Sequence, residues 1–385
     1  MFESAKITSG ALVITAAVQT TDFDVLKNIK RKNIPYNEMV WLTKETKKIE
    51  PDAWSHSEII LGLPSSTLEN FLTTFKDVVE SGIDSISAYQ AMLLPGTEMA
   101  TNESIAKYNI VSKYRVMARC FGDYDWVNGS PVRISEIEQI IVSTSTMSFE
   151  DYLEGRRFTL TVSVFYNDFI FSNFFGVLKS FGLSVFDLLQ RLHVSAQIKL
   201  PMVYSQFMKE TKGELWDSKE ELDNFIKQKG VLDQFREGVY GSNVVFKNRA
   251  LAHSKYMDQI IDLVYEEVRQ MITNSDTVLV KSIDIMDFLN DMQMAHKAVG
   301  TDYLNTKKSL SVSSFYNIKE ILPGAIPVQE IKKYNNEQKL TIKHDDAQKK
   351  LLDNRIRIDG GDLLSQAKLL AQVPLKKFLR RTYTN

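Results

Sequence analysis

The chain has 385 residues, 44% apolar and 25% charged, with 47 Lys and Arg against 48 Asp and Glu for a formal net charge of −1. That length holds two domains or one large domain with appendages, and a near-neutral balance argues against a generic nucleic-acid binder, which carries a basic excess. The single cysteine, Cys120, excludes an internal disulfide and a Cys-rich metal site, and points to a cytoplasmic location.

Residues 11–18 (ALVITAAV) form a short apolar run. Glu3 and Lys6 precede it and no small-residue cleavage pattern follows, so it reads as a strand buried on both faces and not as a signal peptide. After a turn at Gln19–Thr21, the stretch Thr21-Asp22-Phe23-Asp24 opens a helix predicted to reach about Arg31. Ser57–Leu63 is the next strand, stopped by Pro64. Ser66-Thr67-Leu68-Glu69 reads as a capping box. The helix beyond it carries Leu68, Phe71, Leu72, Phe75, Val78 and Val79 on one stripe, with Gly82 as its stop. A third strand, Ser85–Leu94, precedes the turn Pro95-Gly96-Thr97. Strand–helix–strand–helix–strand with short connections predicts βαβ units and a parallel sheet. Three strands close no barrel, so the other strands of one are expected before Met1.

Downstream, Ile137–Ser143 is predicted as a strand, and after Phe149 the pattern is mostly helical. Phe158–Leu178 is the most apolar stretch. Asn167, Asp168 and Asn173 interrupt it, which favours a buried helix over a membrane span. Ser218-Lys219-Glu220-Glu221 caps an amphipathic helix, and Met257, Ile260, Ile261, Val264 and Val268 form the stripe of another. Residues 301–345 read as a small β region or linker. Residues 362–379 read as a last helix with a basic end at Lys376, Lys377, Arg380 and Arg381. The expected class is α/β, with domains at 1–125, 126–300 and 301–385.

Several segments resemble radical S-adenosylmethionine (SAM) proteins of the cobalamin-binding subclass. Gln19, twelve residues before Arg31 in QTTDFDVLKNIKRKNI, is similar to the pattern on the fourth barrel strand and its helix. SEIILGLPSSTLENF resembles the fifth-strand segment ending Gly-x-Pro-Gly-Glu-Thr, and Tyr89 to Met99 (YQAMLLPGTEM) resembles the sixth. Arg119-Cys120-Phe121-Gly122 and Thr146 to Tyr152 resemble stretches that follow the barrel. The resemblance implies a partial TIM-like barrel, later strands only, followed by a mostly helical C-terminal region. It also implies a [4Fe–4S] cluster that cleaves SAM to a 5′-deoxyadenosyl radical, cobalamin as a second cofactor, and radical methylation or rearrangement of a small-molecule substrate. The family's Cys-x-x-x-Cys-x-x-Cys loop and preceding cobalamin domain have no counterpart here, and its Gly-Glu-Thr stands as Ser65-Ser66-Thr67. Two versions follow: a fragment that needs a missing N-terminal segment or partner subunit, or a degenerate SAM-binding subunit. A rival of another class is a helical interaction module in residues 150–385.

The resemblance assigns Arg31 to SAM's carboxylate, which suits a planar guanidinium fork; otherwise Arg31 is a helix-end cation favoured by the dipole. Gln19 is a SAM hydrogen-bonding group or a turn residue. Glu58, an acid within an apolar strand, suits ribose hydroxyls or is a solvent-facing strand residue. Gly62 and Pro64 shape a loop against adenine or simply end a strand. Tyr89 and Gln90 lie near the barrel mouth by alternation. His56, His193, His253, His296 and His344 have no metal-ligand spacing. Cys120, beside Arg119, reads as a buried inert thiol before a reactive one.

Overall fold

The structure is a computed structural model that describes residues 7, 14–15, 17–49, 55–127, 130–167, 171–275, 284–322 and 331–384. Its first half runs β1 (Ile14–Thr15), α1 (Phe23–Asn28), α2 (Tyr36–Ile49), β2 (Ser55–Leu61), α3 (Leu68–Glu80), β3 (Ser85–Gln90), α4 (Asn102–Tyr108), β4 (Val111–Val127), β5 (Ser130–Ser143) and α5 (Phe149–Phe165). Helices follow as α6 (Ser172–Ser180), α7 (Val185–Lys199), α8 (Pro201–Gly213), α9 (Lys219–Ile226), α10 (Val231–Arg236), α11 (Val244–Lys255), α12 (Met257–Thr273) and α13 (Ile285–Gly300). The chain ends with β6 (Ser309–Tyr316), α14 (Ile318–Ile321), β7 (Lys333–Lys343), α15 (Asp346–Asp359), α16 (Leu363–Leu370) and β8 (Arg381–Thr384). It divides into two compact units, Met1–Thr159 with Ser205–Val245, and Leu160–Tyr204 with Phe246–Asn385. Each passage between units falls inside a helix: α5, α8 and α11. Among the described residues, no helix is long and apolar enough to cross a membrane.

In the first unit, β1, β2 and β3 are all parallel, as the βαβ pattern predicts, and they pair in the order β1-β2-β3. The class is α/β, and among the described residues none of the three sheets closes into a barrel. Several limits differ from expectation. Of the predicted 11–18 strand, Ile14–Thr15 is assigned, and residues 11–13 and 16 lie outside the described residues. β2 stops at Leu61 because Gly62 turns the backbone to φ +88. β3 stops at Gln90, and the chain beyond changes partner: Leu93 N–H donates to Gln139 O (2.9 Å), and Met92 bridges Ile140 antiparallel. Helix α1 ends at Asn28 and not near Arg31, since Lys30 adopts φ +55. The cap of α3 is Thr67, extended and accepting from Asn70 N–H, so Ser66 is not the cap and the predicted capping box is absent.

Helix α3 buries Phe71, Thr74, Phe75, Val78 and Val79. Phe75 meets Phe158 of α5 edge-on at 5.3 Å between centroids. A Cβ on Gly155 would stand 2.7 Å from Leu61 Cδ1, so the glycine lets α5 approach β2 closely. Beyond β3 lies a hairpin whose first strand, β4, the sequence pattern does not announce. Arg115 and Glu138 stand opposite each other on it. Arg115 Nε donates to Glu138, and its Nη1 donates to Glu214 Oε1 at 2.8 Å. Arg156 Nη2 lies 3.6 Å from that same oxygen, over the Phe207 ring at 5.6 Å. Burial opposes the charge on Arg115, but Glu214 and Glu138 more than offset it and its pKa rises. Burial pushes Arg156 down and the Tyr152 hydroxyl up.

The second unit packs helices against an antiparallel sheet in the order β6-β7-β8. The predicted Phe158–Leu178 helix is two helices, α5 and α6; Asn167 is buried between them, and Asp168 lies outside the described residues. The predicted 362–379 helix stops at Leu370, because Pro374 has no N–H to continue it, and the last segment pairs instead as β8. His253 Nε2 donates to Val164 O at 3.0 Å, and the Tyr265 hydroxyl meets His296 Nδ1 at 2.7 Å. Burial pushes these imidazoles from 6.5 down to about 3 and about 4. Only the unfolded chain then binds protons as pH falls below 6.5. Stability is therefore full above 6.5 and is lost below it, by about 1.4 kcal/mol per pH unit for each histidine. Urea midpoints between pH 6.5 and 5 are expected to fall in wild type and to fall less steeply in His296→Asn; equal slopes would contradict this.

Candidate functional site

The C-terminal ends of parallel strands are where loops leave a sheet and where such folds bind ligands. Here the first loop is unusual. The β1 register slips by one residue between Thr15↔His56 and Gln19↔Ile59. Gln19 N–H donates to Glu58 O, and Ile60 N–H donates to Gln19 O, both at 2.8 Å. Thr20 N–H returns to Val18 O at 2.6 Å, closing a three-residue turn with Gln19 at its centre and φ +58. A γ-turn of that hand is rare and strained. The Gln19 carboxamide is half-buried and makes no hydrogen bond to a described residue.

Glu58 lies on the β2 face that carries His56 and Ile60, opposite the buried Ser57, Ile59 and Leu61. Its register neighbour on β3 is Ser87, and Ile60 stands beside the exposed Tyr89. The Glu58 carboxylate is half-buried and forms no hydrogen bond or ion pair with a described residue. Burial pushes His56 down, and Glu58 opposes that shift.

Arg31 does not stand free. Its Nη2 donates to Ala17 O and its Nε to Asn33 Oδ1 at 3.0 Å. Asn33 Nδ2 in turn donates to Val18 O (2.6 Å) and Thr20 O (2.9 Å). Asn33 was not among the predicted site residues. Its available signal was an amide side chain in the turn after a helix, a type that bonds nearby backbone. Behind the loop, Thr21 Oγ1 donates to Asp77 Oδ2 at 2.6 Å and Thr20 Oγ1 meets Thr74 Oγ1 at 3.3 Å.

On the second loop, a Cβ on Gly62 would lie 3.3 Å from Ile141 O, so only glycine fits that approach at its φ of +88. Pro64 is buried, so its ring packs inward. Ser65 has φ +68, and its hydroxyl accepts from Asn28 Nδ2 at 2.9 Å. This is the position at which the resembling motif has glycine. Ser65→Gly is expected to raise stability by about 0.5–1 kcal/mol, by relieving a left-handed non-glycine residue for the loss of one exposed bond. A lower melting temperature for the variant would contradict this. Gln90 is buried at the end of β3, pairs with Leu61, and has its Nε2 3.5 Å from Ala88 O.

The structure thus gathers Gln19, Glu58 and Arg31 around one loop, with Gly62 on the adjoining one, and it turns Pro64 and Gln90 inward. Cys120 lies on β4 with Sγ 3.7 Å from Ala118 O. An iron–sulfur cluster needs several thiolates, and these 385 residues contain one cysteine. They do not fit a cluster, and no step through one is assigned to this chain.

No family model matches the chain. One stretch of it is similar to radical SAM methyltransferases. Over 154 residues it is 27% identical to the cobalamin-dependent radical SAM methyltransferase TokK of Streptomyces tokunonensis. It has the same identity over the same length to the 2-(S-pantetheinyl)-carbapenam-3-carboxylate methyltransferase of Streptantibioticus cattleyicolor. The stretch is 40% of this chain and 21% of each relative, so the chain matches about a fifth of the length of these curated proteins.

Proposed function

We propose that residues 1–125 are the later strands of a TIM-like radical SAM barrel, and that the strand-end loops bind S-adenosylmethionine. In this reading Gln19, Glu58 and Gly62 form the cofactor side of the site, and Arg31, Pro64 and Gln90 shape it from behind. The observation that carries it is two neighbouring residues whose polar side chains make no hydrogen bond to a described residue, Gln19 in the loop that follows β1 and Glu58 within β2, to which the Gln19 backbone is bonded. A carboxylate accepts from vicinal ribose hydroxyls, and a carboxamide can both donate to and accept from an amino-acid moiety. Gly62 admits backbone close to the ligand, and Pro64 fixes the loop's exit. The protein's work is to bind and orient the cofactor and exclude water, while the cofactors supply the radical chemistry.

The [4Fe–4S] cluster and cobalamin belong, on this reading, to a segment or partner subunit other than these 385 residues. The complete enzyme would carry out radical methylation or rearrangement of a small-molecule substrate. The test is calorimetric titration of the full chain with S-adenosylhomocysteine, the stable analogue. Wild type is expected to bind one equivalent, and Glu58→Gln to weaken binding by about tenfold, or about 1.4 kcal/mol. A wild-type chain that takes up no ligand ends the reading.

A further inference from the structure

We infer that Arg31 and Asn33 are positioning residues, a two-residue brace that holds the Gln19 turn in its left-handed conformation and so aims the Gln19 carboxamide at the ligand. The inference rests on the cofactor-binding reading and gives Arg31 a different task from clamping the ligand's carboxylate.

The bonding around Gln19 carries it. The turn has four consecutive carbonyls, at Ala17, Val18, Gln19 and Thr20. Arg31 Nη2 takes the first, Asn33 Nδ2 takes the second and fourth, and Ile60 N–H takes the third. Arg31 Nε donates to Asn33 Oδ1, which fixes the Asn33 amide so that its nitrogen faces the turn. Every acceptor flanking the strained residue is thereby occupied from one side by two side chains that are themselves bonded together. A positive φ at a non-glycine residue persists only where the surroundings over-determine it. Remove the brace, and Gln19 relaxes to the ordinary region, which turns its side chain away from its present direction.

A carboxylate clamp needs the guanidinium edge turned to ligand. Here two edge nitrogens, Nε and Nη2, which form the side-on fork used for bidentate carboxylate binding, are both spent on the loop. The brace and the clamp therefore predict different energetics. If Arg31 acts through Gln19, its loss matters only while the Gln19 side chain is present. If Arg31 touches ligand, its loss adds to that of Gln19.

The experiment is a pair of double-mutant cycles on the full chain, read by titration with S-adenosylhomocysteine. Gln19→Ala, Asn33→Ala and Arg31→Ala are each expected to weaken binding by about tenfold. The doubles Q19A/N33A and Q19A/R31A are expected to bind as Q19A does, within about a factor of two. Arg31→Lys, which keeps the charge but not the fork, is expected to match Arg31→Ala. Additive losses, or an Arg31→Lys variant that binds like wild type, would overturn the brace while leaving the cofactor reading in place. A wild-type chain that does not bind overturns both. Should Asn33→Ala melt below the assay temperature, Asn33→Asp carries the same cycle, since it still accepts from Arg31 but cannot donate to Val18 and Thr20; retention of wild-type affinity in it overturns the brace.

Discussion

Replacing Glu214 with alanine is expected to cost the first unit about 3–5 kcal/mol, the scale of removing one partner from a buried ion pair. Glu214 lies 2.8 Å from Arg115 Nη1 and 3.6 Å from Arg156 Nη2, and the three side chains are only 19%, 18% and 4% exposed. The two arginines fare differently. Arg115 keeps its direct bond to Glu138 across the hairpin, whereas Arg156 is left with Glu138 acting only at longer range, beside Tyr152 and the Phe207 face. Its Nε is already buried without a partner, as is the Tyr152 hydroxyl one turn earlier on α5. Glu138→Ala is expected to cost less, because Glu214 still serves Arg115. Pairing Arg156→Met with Glu214→Leu is expected to recover most of the loss, since an apolar pair in place of a buried ion pair is often neutral or better. Urea unfolding measures all three. A Glu214→Ala loss under about 1 kcal/mol, typical of a solvated surface pair, would show that water already compensates these charges.

Arg380→Ala is expected to destabilise the second unit by about 3 kcal/mol, because it strips a donor from one buried and three part-buried carbonyls at once. Helix α13 ends at Gly300, and the last carbonyls of any helix lack donors of their own. Arg380 serves this helix end and the turn after it: its N–H donates to Val299 O (3.3 Å), Nη1 to Ala298 O (3.2 Å) and Thr301 O (2.7 Å), and Nη2 to Asp302 O (2.5 Å) and Asn305 O (3.4 Å). The arginine is only 3% exposed, so water cannot readily replace it. Its segment is held in turn by His344 Nε2 to Phe378 O and Gln348 Nε2 to Leu379 O, both 2.7 Å. Arg380→Lys is expected to recover less than half, since an ammonium cannot span four acceptors as a planar fork does. Faster amide exchange in residues 298–305 would accompany the loss; unchanged exchange with an unchanged melting point would refute the assignment.

What the sequence announces and what it hides divide along physical lines. The parallel pairing of the first three strands and the buried stripe of α3 are legible, because period-2 and period-3.6 burial leave a direct mark on residue type. Gln19 and Gly62 fall where apolar runs stop, and Glu58 lies within its apolar run, as the sequence pattern has them. The barrel implied by resemblance is not present as a closed sheet among the described residues. Strand β4 is hidden: Val111 to Cys120 mixes Lys113, Arg115 and Arg119 with apolar residues, and the register shifts between Val116 and Phe121. The signal that would have found the hairpin is Asn128-Gly129, a pair favoured in two-residue hairpin connections; both residues lie outside the described ones. Asn33 and the Arg115–Glu214 pair are hidden for another reason. One acts on backbone carbonyls, which carry no residue identity. The other joins residues 99 apart, a separation no local periodicity reports.

The chain passes between its two units at 159/160, 204/205 and 245/246, each time within a continuous helix. Synthesis of the first unit therefore cannot finish at residue 159. Arg115 and Arg156 leave the ribosome long before Glu214, and the whole excursion through residues 160–204 is made in between. A nascent chain in that interval holds two guanidiniums whose shared acceptor does not yet exist, together with a β4–β5 ribbon whose Tyr114 has not met Trp216. Closing the gap costs little, since loop entropy grows only logarithmically with length. The burden is one of timing: the first unit cannot complete its contacts until residues 205–245 have been made, an order of events that its equilibrium stability does not reveal.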